Sequence, residues 1–346
     1  MRELLPDIDR WLAEGKSLAL ATVTQTWNSA PRKVGAQMVV AQDSQISGSV
    51  SGGCVEGAVA ESALEVIASG VPKRLHFGVA DETAWDVGLA CGGEIDIFVQ
   101  PLDTSFYEFV RATLNSESPV VMGTIVEGDD AILGNSWAFN GKTRESFGSA
   151  PPGVFAQLES GLATELPQLV EITQEGQSAH LFVNPIPPSP TLIIIGGVHI
   201  AIALSKLASP LGYRVIIIDP RRAFGTEERF PEAHQVIQSW PDEALENIEL
   251  NSSTAVATLT HDPKIDDPAL IKVLNSPAFY IGALGSRKTQ AKRRQRLLDA
   301  GVEEQFIDRI HGPIGLDIGA TTPEEIALSI MAEIVAIQQS LRKMGS

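Results

Sequence analysis

Cysteine is scarce in this chain, with two in 346 residues. Two thiols cannot build the disulfide framework of a small secreted domain, and they suit a reducing compartment. Nor can they complete a tetrahedral zinc site alone, and no Cys/His spacing matches one. Long apolar runs are missing too. None approaches the roughly 20 residues that a helix needs to cross a bilayer, and the opening MRELLPDIDR lacks the basic and apolar regions of a signal peptide. Positive charge is in short supply: 26 Lys and Arg stand against 43 Asp and Glu, for a formal net charge of −17. Such a surface repels phosphate backbones and anionic lipid, which argues against nucleic acid or a membrane as the main partner. Low-complexity tracts and fixed-period repeats are absent. The expected location is cytoplasmic.

What is present can form sizeable cores: 44% of residues are hydrophobic and 20% charged. The length suggests two domains. NPIPPSP (184–190) carries four prolines in seven residues, which suits a stiff connector and neither a helix nor an interior strand. The expected division is an α+β domain over residues 1–184, a linker at 185–190 and a second domain over 191–346.

In the second domain, TLIIIGG, YRVIIID, TAVATLT and PAFYIGAL read as strands buried on both faces, each followed by a helical pattern. The fold class expected is α/β, a Rossmann-like doubly wound parallel sheet at the C-terminal side. The last helix opens at TTPEEIALSI, where Thr322, Pro323 and Glu325 form a capping-box pattern. The first domain reads as mixed: strands at 18–25, 37–42, 45–50, 94–102 and 120–128, and a helix from Val55 to about Ser69.

Ligands of open α/β sheets sit outside the carboxyl ends of the strands. Those ends carry Gly196, Gly197 and His199, then Asp219, Arg221 and Arg222, then His261 and Asp262, then Gly285, Ser286, Arg287 and Lys288; His311 follows in a later loop. Gly196 and Ala201 fit the outer positions of the dinucleotide fingerprint, and Asp219 lies where a ribose-binding acid belongs. Val198 takes the place of the middle glycine, which weakens the case for NAD(P) and leaves helix–sheet packing as the other role of these glycines. GALGSRKT (282–289) can cradle a phosphate at a helix start, or can simply open a basic helix face that continues through Lys292, Arg293, Arg294 and Arg296.

The two cysteines both sit beside paired glycines. Cys54 follows Gly52 and Gly53 in GSVSGGCVEG (48–57), and Cys91 precedes two more in LACGGEID. At the start of a helix, free N–H groups would lower the Cys54 pKa, whereas Glu56 works against a thiolate. Thiolates of this kind suit a soft transition metal or persulfide chemistry. Buried small side chains, or a disulfide, are the other readings.

Long strings resemble the XdhC/CoxI family, the accessory factors of xanthine dehydrogenase and carbon monoxide dehydrogenase. They include LATVTQTWNSAPRKVGAQM (20–38), GSVSGGCVEGAVAESALEV (48–66), LACGGEIDIFVQPL (89–102), VIIIDPRRAFGTEERFP (215–231) and RIHGPIGLDIGATTPEEIALSI (309–330). The resemblance implies a chaperone that binds the molybdenum cofactor (molybdopterin), supports its sulfuration by a cysteine desulfurase and delivers it to an apo molybdenum hydroxylase. It implies that Cys54 contacts the molybdenum or its sulfur, with Cys91 second, and that the Rossmann-like domain holds the phosphorylated pterin or a nucleotide. Pro31, Arg32 and Gly35 match the family's N-terminal motif, and Arg32 could meet an anionic cofactor. Two departures stand out: Val198 in the first βα turn, and Gln290 where relatives often carry histidine. The alternatives are an NAD(P)-dependent oxidoreductase and a sulfur transferase with Cys54 as carrier. A cofactor that touches both Cys54 and the α/β crevice would lie between domains or between subunits, the latter in a homodimer.

Overall fold

The computed structural model describes residues 1–28, 32–53, 55–78, 93–174 and 176–344. The chain divides into two compact units, Met1–Pro188 and Ser189–Ser346.

The first unit opens with α1 (Leu5–Ala13), then β1 (Leu18–Trp27), β2 (Gln37–Ala41), β3 (Ile46–Gly48), α2 (Glu56–Ser69), β4 (Lys73–Phe77) and β5 (Glu94–Pro101). The same succession follows again: α3 (Thr104–Asn115), β6 (Val120–Glu127), β7 (Ser136–Asn140), β8 (Ser146–Phe147), α4 (Pro152–Thr164), β9 (Gln168–Gln174) and β10 (Gln177–Ile186). Each set forms an antiparallel five-stranded sheet, in the orders β3-β2-β1-β5-β4 and β8-β7-β6-β10-β9. Strand for strand these are one topology used twice.

Period-2 alternation sets the two faces of each sheet. Ala19, Ala21 and Val23 of β1 pack under α2 with Val59 and Val66, and Val121 and Ile125 of β6 pack under α4 with Val154 and Leu158. The opposite faces meet each other. They leave a cavity of about 20 Å³ lined by matching residues of the two halves: Leu20 and Met122, Thr22 and Thr124, Phe98 and Phe182. Asp103 caps α3 through the Phe106 N–H at 2.7 Å, and Gly70 ends α2 at φ 73°.

The proline-rich segment differs from expectation at its start. Pro185 and Ile186 continue β10, opposite Val121 and Val120. The pairing of β10 with β9 has stopped by then, at Val183 opposite Gln168. One side of the strand therefore has no partner, the condition under which a strand accepts proline.

The second unit contains β11 (Thr191–Ile195), α5 (His199–Ala208), β12 (Arg214–Ile218), β13 (Gln235–Ile237), α6 (Pro241–Leu245), β14 (Thr254–Thr258), α7 (Pro263–Val273), β15 (Tyr280–Ala283), α8 (Arg287–Asp299), α9 (Glu304–Ile307), β16 (Ile310–His311) and α10 (Pro323–Met344). Its parallel sheet has the order β13-β12-β11-β14-β15-β16, the doubly wound 3-2-1-4-5-6 arrangement. Leu192 and Ile194 face one hydrophobic core with Leu204 and Ile330, and Ile193 and Ile195 face the other with Leu270 and Leu297. Each fully buried side chain of this size contributes about 1.5–3 kcal/mol. The expected capping box of α10 forms: Glu325 N–H donates to Thr322 Oγ1 at 3.2 Å, and Thr322 N–H to Glu325 Oε2 at 2.9 Å. Among the described residues no helix is long and apolar enough to cross a membrane.

Candidate functional site

The loop between β3 and α2 is organised by one carboxylate. Glu56 Oε1 accepts from the N–H groups of Val50 (3.2 Å), Ser51 (2.9 Å) and Gly52 (2.9 Å) and from the Ser49 hydroxyl (2.7 Å). Its Oε2 accepts from the Gly53 N–H (2.8 Å) and the Ser51 hydroxyl (2.5 Å). Successive N–H groups turned toward one anion form a nest. That geometry needs positive φ, found at Gly52 (84°) and Gly53 (118°). A Cβ on Gly53 would meet nothing within 4 Å, so this glycine serves backbone conformation and not clearance.

Burial alone would push the Glu56 carboxyl up. Bonds from Ser51, Ser49 and the loop N–H groups outweigh it and hold the pKa at about 2. Arg32 reaches the same loop, with Nε 3.4 Å from Ser49 Oγ. The structure thus brings Arg32, Gly52 and Gly53 together around Glu56. Pro31, Cys54 and Cys91 lie outside the described residues. The N–H groups expected to favour a thiolate are in part committed already: those from Val50 to Gly53 to Glu56, and that of Val55 to Ser51 Oγ at 3.0 Å.

A second polar cluster, at the ends of β1, β4 and β5, has no counterpart among the sequence expectations. The buried Asp96 carboxylate holds His76 Nδ1 at 2.6 Å and Arg74 Nη2 at 2.5 Å, and Trp27 stands edge-on to His76. A lone histidine on an alternating strand carries no signal that could have found it.

In the second unit the candidate residues gather at the carboxyl end of the parallel sheet, as the topology requires, but their roles divide. Asp219 is fully buried. Its Oδ1 accepts from Arg221 N–H and Nε, both at 2.9 Å, and its Oδ2 accepts from Arg221 Nη2 (2.7 Å) and Gly197 N–H (2.8 Å). Burial would raise its pKa, yet the Arg221 and Gly197 bonds bring it below the ordinary value. Val198 packs against the helix–sheet core, and so performs a packing role at the fingerprint position. Both preceding glycines are hemmed in, because a Cβ on Gly196 would strike Thr260 and one on Gly197 the carbonyl oxygen of Phe224.

Asp262 caps α7 through the Lys264 N–H at 2.9 Å, and Ser286 caps α8 through the Thr289 N–H at 3.3 Å. Gly285 lets this turn form at φ 131°. His199, Arg222, His261, Arg287 and Lys288 are exposed, and His261 sits at φ 63°. His311 stacks on Tyr280 at 4.8 Å, with Nδ1 3.7 Å from Glu333. Burial would raise the Glu333 pKa, but bonds from His311, Tyr280 and the Gly315 N–H lower it.

The basic run of α8 is mostly paired. Arg293 is buried against Asp266 at 3.3 Å, Arg294 meets Glu304 and Asp308, and Arg296 meets Asp267 at 2.5 Å. Gln290 is a structural hub: its Nε2 donates to the carbonyls of Ala283 (2.7 Å) and Gly285 (3.2 Å), and its Oε1 accepts from Arg293 at 2.5 Å.

Residues 192–334 match the XdhC Rossmann domain, and residues 11–78 match the XdhC and CoxI family. A protein of Bacillus subtilis (strain 168), named as a probable xanthine dehydrogenase subunit, is 30% identical over 335 residues, which cover 95% of each chain. The chain belongs to the XdhC and CoxI family. The molybdenum cofactor insertion chaperone PaoD of Escherichia coli (strain K12) is 29% identical over 328 residues, 94% of this chain and 85% of PaoD. A crystal structure described as a xanthine dehydrogenase from Bacillus halodurans shares the fold, with TM-score 0.79 and 24% identity over 97% of this chain and 96% of that one. The XdhC and CoxI match at 11–78 falls within the first of the two repeated sets, which carries the glycine loop.

Proposed function

We propose that this chain is a non-catalytic accessory factor that binds the molybdenum cofactor, supports its sulfuration and delivers it to a xanthine or carbon monoxide dehydrogenase-type hydroxylase. The observation that carries this reading is the likeness to a named molybdenum cofactor insertion chaperone along most of both chains. The residues fit such a ligand in charge and in softness. Exposed Arg287 and Lys288 beside the Ser286 turn, with His199 and His261 at neighbouring strand ends, suit an anionic, phosphorylated group. A thiol at position 54 suits molybdenum or its sulfur, and Glu56 fixes the backbone at Gly53 just before it. Arg32, tied to the loop through Ser49, adds a cation there.

When bound, the cofactor supplies the molybdenum centre and the sulfur destined for the hydroxylase. The work of the chain is to hold and orient it. Cys54 and then Cys91 are the proposed contacts to metal or sulfur in the first unit; in the second, the crevice cations and His311 are proposed to meet a phosphorylated group. The proposed partners are the apo-hydroxylase and a cysteine desulfurase.

The test is molybdenum and pterin analysis of protein purified without air from cells that make the cofactor, alongside Cys54→Ala. Near-stoichiometric molybdenum and pterin in the wild type, at least about tenfold lower in the variant, is the expected result, equivalent to a loss of about 1.4 kcal/mol or more. Wild-type protein with neither would sink the reading, and equal retention in both would remove Cys54 from the site.

A further inference from the structure

In a doubly wound sheet a dinucleotide is recognised at two places. Its pyrophosphate lies on the glycine turn after the first strand, and its ribose hydroxyls donate to an acid at the end of the second. In this unit the chain's own atoms engage the acid and lie over Gly197 of the glycine turn. The Asp219 carboxylate accepts four bonds, three of them from Arg221 and the fourth from Gly197 of the glycine turn. A carboxylate has about four lone-pair positions, so none is left for a ribose hydroxyl.

The glycine turn is covered in the same way. The Phe224 carbonyl lies where a side chain on Gly197 would project. This covering segment is braced, since the Arg221 guanidinium stacks on the Phe224 ring at 4.1 Å. Arg229 lies 5.3 Å from the same ring and donates to the carbonyls of Ala223 and Phe224 at 3.1 and 3.2 Å. Gly225 completes the seal, because a Cβ there would come within 3.0 Å of the Asp219 carbonyl oxygen.

We propose that Arg221 and Phe224 determine the ligand specificity of this unit: Arg221 saturates the acid at the ribose place and the Phe224 carbonyl closes over Gly197 of the glycine turn, so the crevice is closed to NAD(P) and other dinucleotides. What remains is the rim of strand ends at β14 and β15, which suits a ligand that makes no demand on Asp219. Val198 packs against the core beside this turn. The inference rests on the proposed function only for the identity of the ligand admitted; the exclusion stands on the geometry of this unit alone.

Titration of the full chain with NAD, NADP and ADP-ribose by calorimetry tests it. The wild type is expected to show no saturable binding up to about 10 mM, a limit near 2.7 kcal/mol. Arg221→Ala frees the Asp219 carboxylate and is expected to bind ADP-ribose at least about tenfold more tightly than wild type. Arg221→Lys keeps the charge without the two-pronged geometry and is expected to fall between them, which guards against a variant that fails to fold. Sub-millimolar binding of any of the three ligands by the wild type overturns the proposal, as does failure of both folded variants to gain binding. Molybdenum and pterin content of the same wild-type preparation is an independent readout, so a wrong exclusion and a wrong cofactor assignment give different results.

Discussion

Glu56 and the four N–H groups that converge on it satisfy one another, and a stability that depends on pH follows. The carboxyl is held at about 2, against an ordinary value of 4.5. A carboxylate depressed in this way stabilises the folded state above its unfolded value, and that contribution drains away as pH falls from about 4.5 toward about 2. Glu56→Gln removes the charge and turns an amide donor toward N–H groups that need an acceptor. It is expected to cost about 2 kcal/mol at pH 7, with solvent screening keeping the effect modest. The measurement is urea denaturation from pH 2 to 7. The gap between wild type and variant should close across that window, and parallel curves would show that the carboxylate contributes nothing. Glu325, also held at about 2, titrates identically in both proteins and drops out of the difference. This role is only half legible in the sequence. An acid two residues after Cys54 reads as support for a helix start, but its reach back over the loop depends on two positive φ angles that spacing does not reveal.

Helix α8 shows what a charge run conceals at the scale of an element. GALGSRKT (282–289) reads equally well as a phosphate cradle or as the opening of a basic helix face through Lys292, Arg293, Arg294 and Arg296, because the partners of the three arginines are on other elements: Asp266 and Asp267 on α7, Glu304 and Asp308 at α9. Burial dominates at the innermost pair, raising the Asp266 pKa and lowering that of Arg293. Asp266→Ala would leave the Arg293 guanidinium, with its side chain 2% exposed, without its counter-charge. The expected cost is about 3–5 kcal/mol by urea denaturation. Adding Arg293→Met should recover part of it, and a single-variant loss below about 1 kcal/mol would mean that the pair is not needed. The buried strands β11, β12, β14 and β15 were legible because a short apolar run closed by glycine or aspartate has few other uses. Gln290 was not: its importance lies in reaching two carbonyls on a loop that only the folded chain brings near.

Across the whole molecule, each unit has hydrophobic clusters of its own. Units with separate cores need not unfold together. Scanning calorimetry is therefore expected to resolve two transitions, and one transition with equal calorimetric and van't Hoff enthalpies would contradict that independence. The repeated topology of the first unit left no sequence period, because identical matches such as Thr22 with Thr124 are isolated and others, such as Leu20 with Met122, keep only their character. Their loops have diverged further. The first set opens α2 through Gly52 and Gly53 and joins β4 to β5 by a long connection, whereas the second opens α4 with Pro151 and Pro152 and pairs Gln174 directly with Gln177. A protein tolerates strained or glycine-rich segments only while its total stability stays above a threshold. The second set, with short connections on the same frame, works as ballast. It adds a hydrophobic core of its own beside a twin that carries the glycine loop.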